Sequence, residues 1–219
     1  MNAVLQPLAN SPRLPAYVQE LEQLLAGERE RRRRFYDEVT DQFKAEFING
    51  QVIMHTPARR IHTMVVKHLV NLLHNHVCRH QLGEVLFEKA LISLARNDYE
   101  PDVLFYGRAK AVAFTPTQVR HPASDFIAEV LPDATAALDR GVKFEDYAAH
   151  GVVEYWLVDT DSGSIEQYRL EGETYRLHLH ARAGDRIASL VVPGFDIPVT
   201  AVFDEAANQQ TLLTLLGMT

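Results

Sequence analysis

A single cysteine, Cys78, stands among 219 residues, which excludes an internal disulfide and any zinc centre built on several thiolates. Long apolar runs are missing as well. No stretch approaches the ~20 residues that a membrane-spanning helix needs. The opening Met1-Asn-Ala-Val-Leu-Gln-Pro7 lacks the basic start and apolar core of a secretory leader. Positive charge is in short supply: 22 Lys and Arg face 29 Asp and Glu, a formal net charge of -7. That balance argues against a tight constitutive binder of polyanions, although acids that serve a cation also count as negative until it binds. The chain contains no phosphate-cradling Gly-x-x-x-x-Gly-Lys-Ser/Thr loop, no Gly-x-Gly-x-x-Gly turn, no Gly-x-Ser-x-Gly elbow and no His-Glu-x-x-His, so the chemistries that depend on them have no support.

What remains is an ordinary composition for a folded, soluble, cytoplasmic protein, with 47% hydrophobic and 23% charged residues. A chain of this length buries roughly 70% of its unfolded surface and needs no staples. Residues 1–13, with Pro7 and Pro12, read as an arm. Val18, Leu21, Leu24 and Leu25 recur at three- and four-residue spacing, which predicts a helix from Ala16 to about Arg34. Its end, Glu28-Arg-Glu-Arg-Arg-Arg-Arg-Arg34, reads as a solvated helix terminus whose cations suit the macrodipole, with phosphate contact as the alternative. Asn49-Gly50 between Lys44–Ile48 and Gln51–Met54 is a strong hairpin signal. Ile61, Met64, Val65, His68, Leu69, Leu72, Leu73 and Val77 mark the buried stripe of a long helix ending near His80. Further strands are expected at Glu84–Ala95, Asp102–Tyr106, Asp125–Leu131 and Val152–Val158. A helix is expected from Leu138 to Gly151, and beyond it lies an antiparallel hairpin, Ser164–Arg169 with Thr174–His180. Strands alternating with helices predict an α/β fold.

Two acids sit where acids are expensive. Asp102 follows Pro101 at the head of Asp102-Val-Leu-Phe-Tyr106, and Glu129 lies inside Asp125-Phe-Ile-Ala-Glu-Val-Leu131. Short, nearly continuous apolar runs read as strands buried on both faces, and a carboxylate there loses hydration unless a cation or hydrogen bonds compensate. Lys143 follows Glu129 by 14 positions on the predicted helix. Two carboxylates on rigid strands with a lysine nearby form the kind of site that holds Mg²⁺ or Mn²⁺ for phosphodiester hydrolysis. Glu46 on the hairpin and His62 in the first turn of the long helix are further candidates. The competing reading is a buried ion pair between Glu129 and Lys143 or Arg140, with no metal. His68 and His76 fall on the apolar stripe and read as packed, and His178 and His180 read as surface residues.

Several stretches together resemble the Uma-type family, whose members are described as candidate endonucleases of the PD-(D/E)XK, or restriction-endonuclease-like, superfamily. They are Glu46-Phe-Ile-Asn-Gly-Gln-Val-Ile53, His62, Pro101-Asp102-Val103, Glu129-Val-Leu131 followed by Pro132, and Asp139-Arg-Gly-Val-Lys-Phe144 with Tyr147. Gly151-Val-Val-Glu-Tyr-Trp-Leu-Val-Asp159 and Pro193-Gly-Phe-Asp-Ile197 complete the set. The resemblance implies a mixed β-sheet flanked by helices, with the N-terminal helix and β-hairpin as additions. It implies an arm and helix over 1–34, the nuclease-like domain over 35–204 and a C-terminal helix over 205–219. By the same resemblance Asp102 and Glu129 would bind Mg²⁺ or Mn²⁺, and Lys143 would be the superfamily lysine moved onto a helix. Glu46 would be an auxiliary acid and His62 a helper beside the metal. The partners it implies are nucleic acid, DNA foremost, and a second copy in a homodimer, with no membrane. The rival function is a binding or assembly module that keeps the fold without turnover, for which the acidic net charge speaks.

Overall fold

The computed structural model describes residues 5–39, 43–131 and 136–218. Pro132 and the residues that follow it to Thr135 lie outside the described residues, as do the first four residues of the arm. The described chain divides between two compact units, one drawn from residues 1–55 and 96–99, the other from 56–95 and 100–219. No helix among the described residues is long and apolar enough to cross a membrane.

The first unit contains helix α1 (Leu14–Glu38) and the hairpin of β1 (Ala45–Ile48) and β2 (Gln51–Met54). Asn49 and Gly50 both take positive φ, 50° and 80°, as the two-residue turn that matches strand twist requires. The helix is longer than its apolar spacing predicts, and the residues of that spacing, Val18, Leu21, Leu24 and Leu25, are exposed. What anchors α1 is its charged end. Arg32 donates through Nε and Nη2 to the fully buried Asp98 carboxylate at 2.6 and 2.9 Å, and the Tyr36 hydroxyl adds a third bond at 2.8 Å. Arg96 grips the buried Glu28 in the same two-pronged way. Within the arginine run Arg32 is therefore a structural cation, while Arg33 and Arg34 are solvated as the helix terminus predicts. Phe47 of β1 pairs with Asp98 in the short strand Asp98–Tyr99.

The second unit is built on a six-stranded mixed sheet in which spatial order follows chain order. Its strands are β3 (Gly83–Phe87), β4 (Val103–Gly107), β5 (Phe126–Leu131), β6 (Glu154–Asp159), β7 (Ser164–Glu171) and β8 (Thr174–Arg182). All neighbours are antiparallel except β5 and β6. That parallel pair needs a crossover, and the crossover carries α3 (Val142–Ala149). Helix α2 (Arg60–His80) covers one face through Val65, Val66, Leu69, Leu72, Leu73 and Val77. They pack against Val103, Phe105, Phe126, Ala128, Val130, Trp156 and Val158. Because side chains alternate along a strand, Ile127, Glu129 and Leu131 project to the opposite face. Helix α4 (Glu205–Leu215) lies against α2, where Asn208 bonds the His68 and Ala201 carbonyls and His68 reaches Glu205 at 2.9 Å.

Two expected elements are broken, each by backbone conformation. The strand predicted over Glu84–Ala95 is two strands, β3 and Leu91–Ser93, separated by a turn in which Glu88 and Lys89 take φ of 34° and 49°. The helix predicted from Leu138 is interrupted at Gly141, where a Cβ would come within 2.7 Å of the Ala137 carbonyl oxygen. Gly151 does terminate the crossover helix, with φ 77°.

The far end of the sheet is organised by Glu154, which has no solvent exposure. Its Oε1 accepts from Trp156 Nε1 and Gln167 Nε2, both at 2.6 Å. Its Oε2 accepts from Ser189 Oγ at 2.7 Å and from the Leu190 and Val191 amides at 2.8 and 3.1 Å. Every partner is a donor, so only a carboxylate fits. Glu154→Gln turns an NH₂ group onto these donors and is expected to cost about 3 kcal/mol or more, read as a lower urea midpoint with an unchanged slope.

Candidate active site

The second unit brings both acids predicted from the apolar strands to one place. Asp102 sits immediately before β4, and Glu129 is the fourth residue of β5. Each is only 2% exposed. Each carboxylate bonds the backbone of the other's strand: Asp102 Oδ2 accepts from the Val130 amide at 2.9 Å, and Glu129 Oε2 lies a longer 3.4 Å from the Asp102 amide. The exchange extends the β4–β5 ladder through side chains, so neither acid can swing away without loosening the strands.

Lys143, from the first turn of α3, is 3% exposed. Its Nζ lies 3.0 Å from Glu129 Oε1 and 3.1 Å from Asp139 Oδ1. Tyr147, one turn further along α3, donates to the same Glu129 oxygen at 3.0 Å. Tyr155 on β6 donates to the Asp139 carbonyl at 3.1 Å. Its phenol is held well above its ordinary pKa by burial and then by the negative charges of Glu129 and Asp139, so it stays protonated beside the acids. Arg140, the other expected partner of Glu129, instead pairs in two-pronged fashion with Glu166 at 2.7 and 2.9 Å.

His62, in the first turn of α2, places Nε2 3.5 Å from Asp102 Oδ1. The turn after β3 adds Glu88, whose amide donates to the Asp102 carbonyl at 3.2 Å. One potential ligand atom from each of His62, Glu88 and Asp102 lies within 4.8 Å of the other two. An imidazole nitrogen and two carboxylate oxygens suit a hard or borderline divalent cation that keeps part of its water shell, such as Mn²⁺ or Mg²⁺. Glu46 belongs to the first unit, where it is fully buried on β1 with Oε2 3.0 Å from His55 Nε2.

Asp139 and Tyr147 were available to sequence reasoning, since they flank Lys143 at i−4 and i+4, the spacing that shares a helix face. Glu88 carries no such signal. It reaches Asp102 because two ordinary side chains adopt the left-handed backbone, which no Gly or Asn announces.

The sheet, with its single parallel pair, its crossover helix and its acids at the head of β4 and within β5, defines a nuclease-type α/β fold. A crystal structure described as "a putative nuclease belonging to DUF820 from Anabaena variabilis ATCC 29413" has the same fold. It superposes with a TM-score of 0.64 at 14% sequence identity, over 82% of this chain and 97% of that one. Residues 29–200 match the model of the Uma2 family, described as "Putative restriction endonuclease", and the chain belongs to that family. No curated protein matches the sequence significantly.

Lys143 pairs with both Glu129 and Asp139. Lys143→Met would take that cation away from two buried carboxylates and is expected to lower stability at pH 7 by about 3–5 kcal/mol. The two acids would bind protons more readily in the folded than in the unfolded variant, so stability falls as pH rises and the deficit narrows toward pH 5. Denaturant titrations at the two pH values measure both effects.

Proposed function

We propose that this protein is a metal-dependent endonuclease that hydrolyses phosphodiester bonds, in DNA foremost. The observation that carries the reading is the convergence of Asp102, His62 and Glu88 within 4.8 Å, next to a carboxylate already gripped by a buried lysine at 3.0 Å. In this reading Asp102, His62 and Glu88 would hold Mg²⁺ or Mn²⁺, with Glu129 as a further ligand on the family resemblance. When bound, the cation would supply Lewis-acid charge at the phosphate and lower the pKa of the attacking water.

The chain's own groups do the rest. Lys143 is flanked by Glu129 and Asp139. It orients the attacking water or offsets charge developing on the phosphoryl oxygens. Tyr147 holds the Glu129 carboxylate at a fixed angle, and the amide of Val130 does the same for Asp102. The attacking water gives up a proton to solvent as its oxygen joins phosphorus, the P–O ester bond breaks, and the leaving oxygen takes a proton from solvent. The auxiliary role of Glu46 is carried by the family resemblance alone. Assembly as a homodimer, on the family resemblance, and action in the cytoplasm, on the composition, belong to the proposal too.

A second reading, a non-catalytic binding or assembly module, draws on one specific observation: the Glu129–Lys143 pair at 3.0 Å, with both side chains 3% exposed. A catalytic lysine would occupy the same place, so the pair is common to both readings, and metal response separates them.

Titrating Mn²⁺ and Mg²⁺ into the wild type is expected to give saturable binding that Asp102→Asn and Glu88→Gln weaken at least tenfold. Asp102→Asn and Glu129→Gln are expected to lower metal-dependent cleavage of plasmid and oligonucleotide DNA by 100-fold or more while keeping the far-UV circular dichroism of the wild type. Cleavage retained in both variants would sink the site assignment. A wild type whose melting temperature ignores both metals and which cuts nothing would transfer the conclusion to the binding module.

A further inference from the structure

Beside the acid cluster lies a groove of about 470 Å³, lined by β3 from Glu84 to Phe87, by Glu88 and Lys89 of the following turn, and by Phe114, Gln118 and His121 across from them. Its size falls in the range of small-ligand sites. Phe87, at the rim where the groove wraps this edge strand, is on the α2 face with Val85 and is 54% exposed. Phe114 is fixed edge-on against Tyr106 and His121, with ring centroids 4.9 and 5.2 Å apart. His121 is 9% exposed, and its Nδ1 has no hydrogen-bond partner among the described residues. Burial holds the His121 pKa below its ordinary value, so at neutral pH its ring is an uncharged aromatic surface. Glu84 contributes a carboxylate to the same wall and is exposed.

We propose that this groove receives a single unstacked nucleobase of the nucleic acid whose phosphate lies at the acid cluster, so that the preferred substrate is single-stranded or locally unpaired. The inference rests on the phosphodiesterase reading. Glu88 connects the two places: it lines the groove and is a member of the Asp102–His62 cluster. A phosphate at the cluster therefore has its own nucleoside within reach of the aromatic walls. Stacking needs a free base face, which duplex DNA withholds and a single strand offers. The Glu84 carboxylate is an acceptor for the exocyclic amines of cytosine and adenine, whereas thymine offers it only the single N3–H.

The test uses the full-length chain with Ca²⁺ replacing Mg²⁺ to suppress turnover. The probes are a fluorescently labelled single-stranded 12-mer rich in adenine and cytosine, its thymine-only counterpart, and the corresponding duplex. Fluorescence anisotropy is expected to show the adenine- and cytosine-rich strand binding on the order of tenfold tighter than the duplex. Phe87→Ala, at an exposed position, should remove that advantage without changing duplex binding or the melting temperature. Glu84→Gln should erase the difference between the two single strands. Equal affinity for strand and duplex, or a Phe87→Ala variant that binds the single strand like the wild type, overturns the proposal; a groove that serves a protein segment instead would give the second result. The two readings fail separately. A wild type that cuts duplex DNA with a KM indifferent to Phe87→Ala keeps the hydrolytic site and loses the base pocket. A chain that cuts nothing yet binds single strands through Phe87 keeps the pocket and loses the hydrolysis.

Discussion

The sheet of the second unit is organised around charge that cannot be left alone. Asp102, Glu129, Asp139 and Lys143 are each no more than 3% exposed, and moving one ion out of water costs several kcal/mol even after relaxation. Hydrogen bonding and pairing offset part of that cost. Asp102 takes the Val130 amide, while Glu129 takes Lys143 and Tyr147 on one oxygen. Among these four groups three are carboxylates and one is an ammonium, so the cluster is formally two charges negative. That excess lies beside His62 and Glu88, whose potential ligand atoms meet those of Asp102.

Local structure answers to this centre. Because β5 alternates, the residues that fill the core against α2, namely Phe126, Ala128 and Val130, force Ile127, Glu129 and Leu131 to the other face. Lys143 can meet Glu129 there only if the crossover helix begins where it does. Gly141 makes that possible, since any side chain would press on the Ala137 carbonyl. The break shifts the start of α3 to Val142, and Lys143 then lies in its first turn with Tyr147 one turn on. Glu154 solves a comparable problem differently. Its carboxylate is satisfied by donors, three of them on Ser189, Leu190 and Val191, so it holds the returning chain in place with no ion pair among the described residues.

Much of this was legible in the sequence. Asp102 and Glu129 stood out because each interrupts an apolar run, and a buried strand leaves a carboxylate few options. Asn49-Gly50 announced its turn, and the stripe from Val65 to Val77 announced α2 through its period. What stayed hidden depends on tertiary context. The spacing of Val18, Leu21, Leu24 and Leu25 marks a helix correctly but says nothing of burial, and all four are exposed. In the arginine run, Arg32 alone reaches Asp98, 66 residues away, and no local rule distinguishes it from Arg33 or Arg34. Glu88 was invisible for a different reason, since the turn that delivers it is written in residues that normally avoid it.

That turn is where the local rules and the site part company. A non-glycine residue in the left-handed region costs roughly 1–2 kcal/mol, and Glu88 and Lys89 adopt it consecutively. Such a conformation persists only where its surroundings over-determine it. The Glu88 amide is tied to the Asp102 carbonyl at 3.2 Å, and Leu91–Ile92 pairs directly after the turn with Arg120–His121. Continuing β3 straight on would relieve the strain. It would also carry the Glu88 carboxylate away from Asp102 and separate Leu91 from its partner strand. The fold thus spends local backbone energy at the single point where the acid cluster and the aromatic groove share a wall. An asparagine or glycine could hold the same backbone more cheaply, but neither would bring a carboxylate to the cluster.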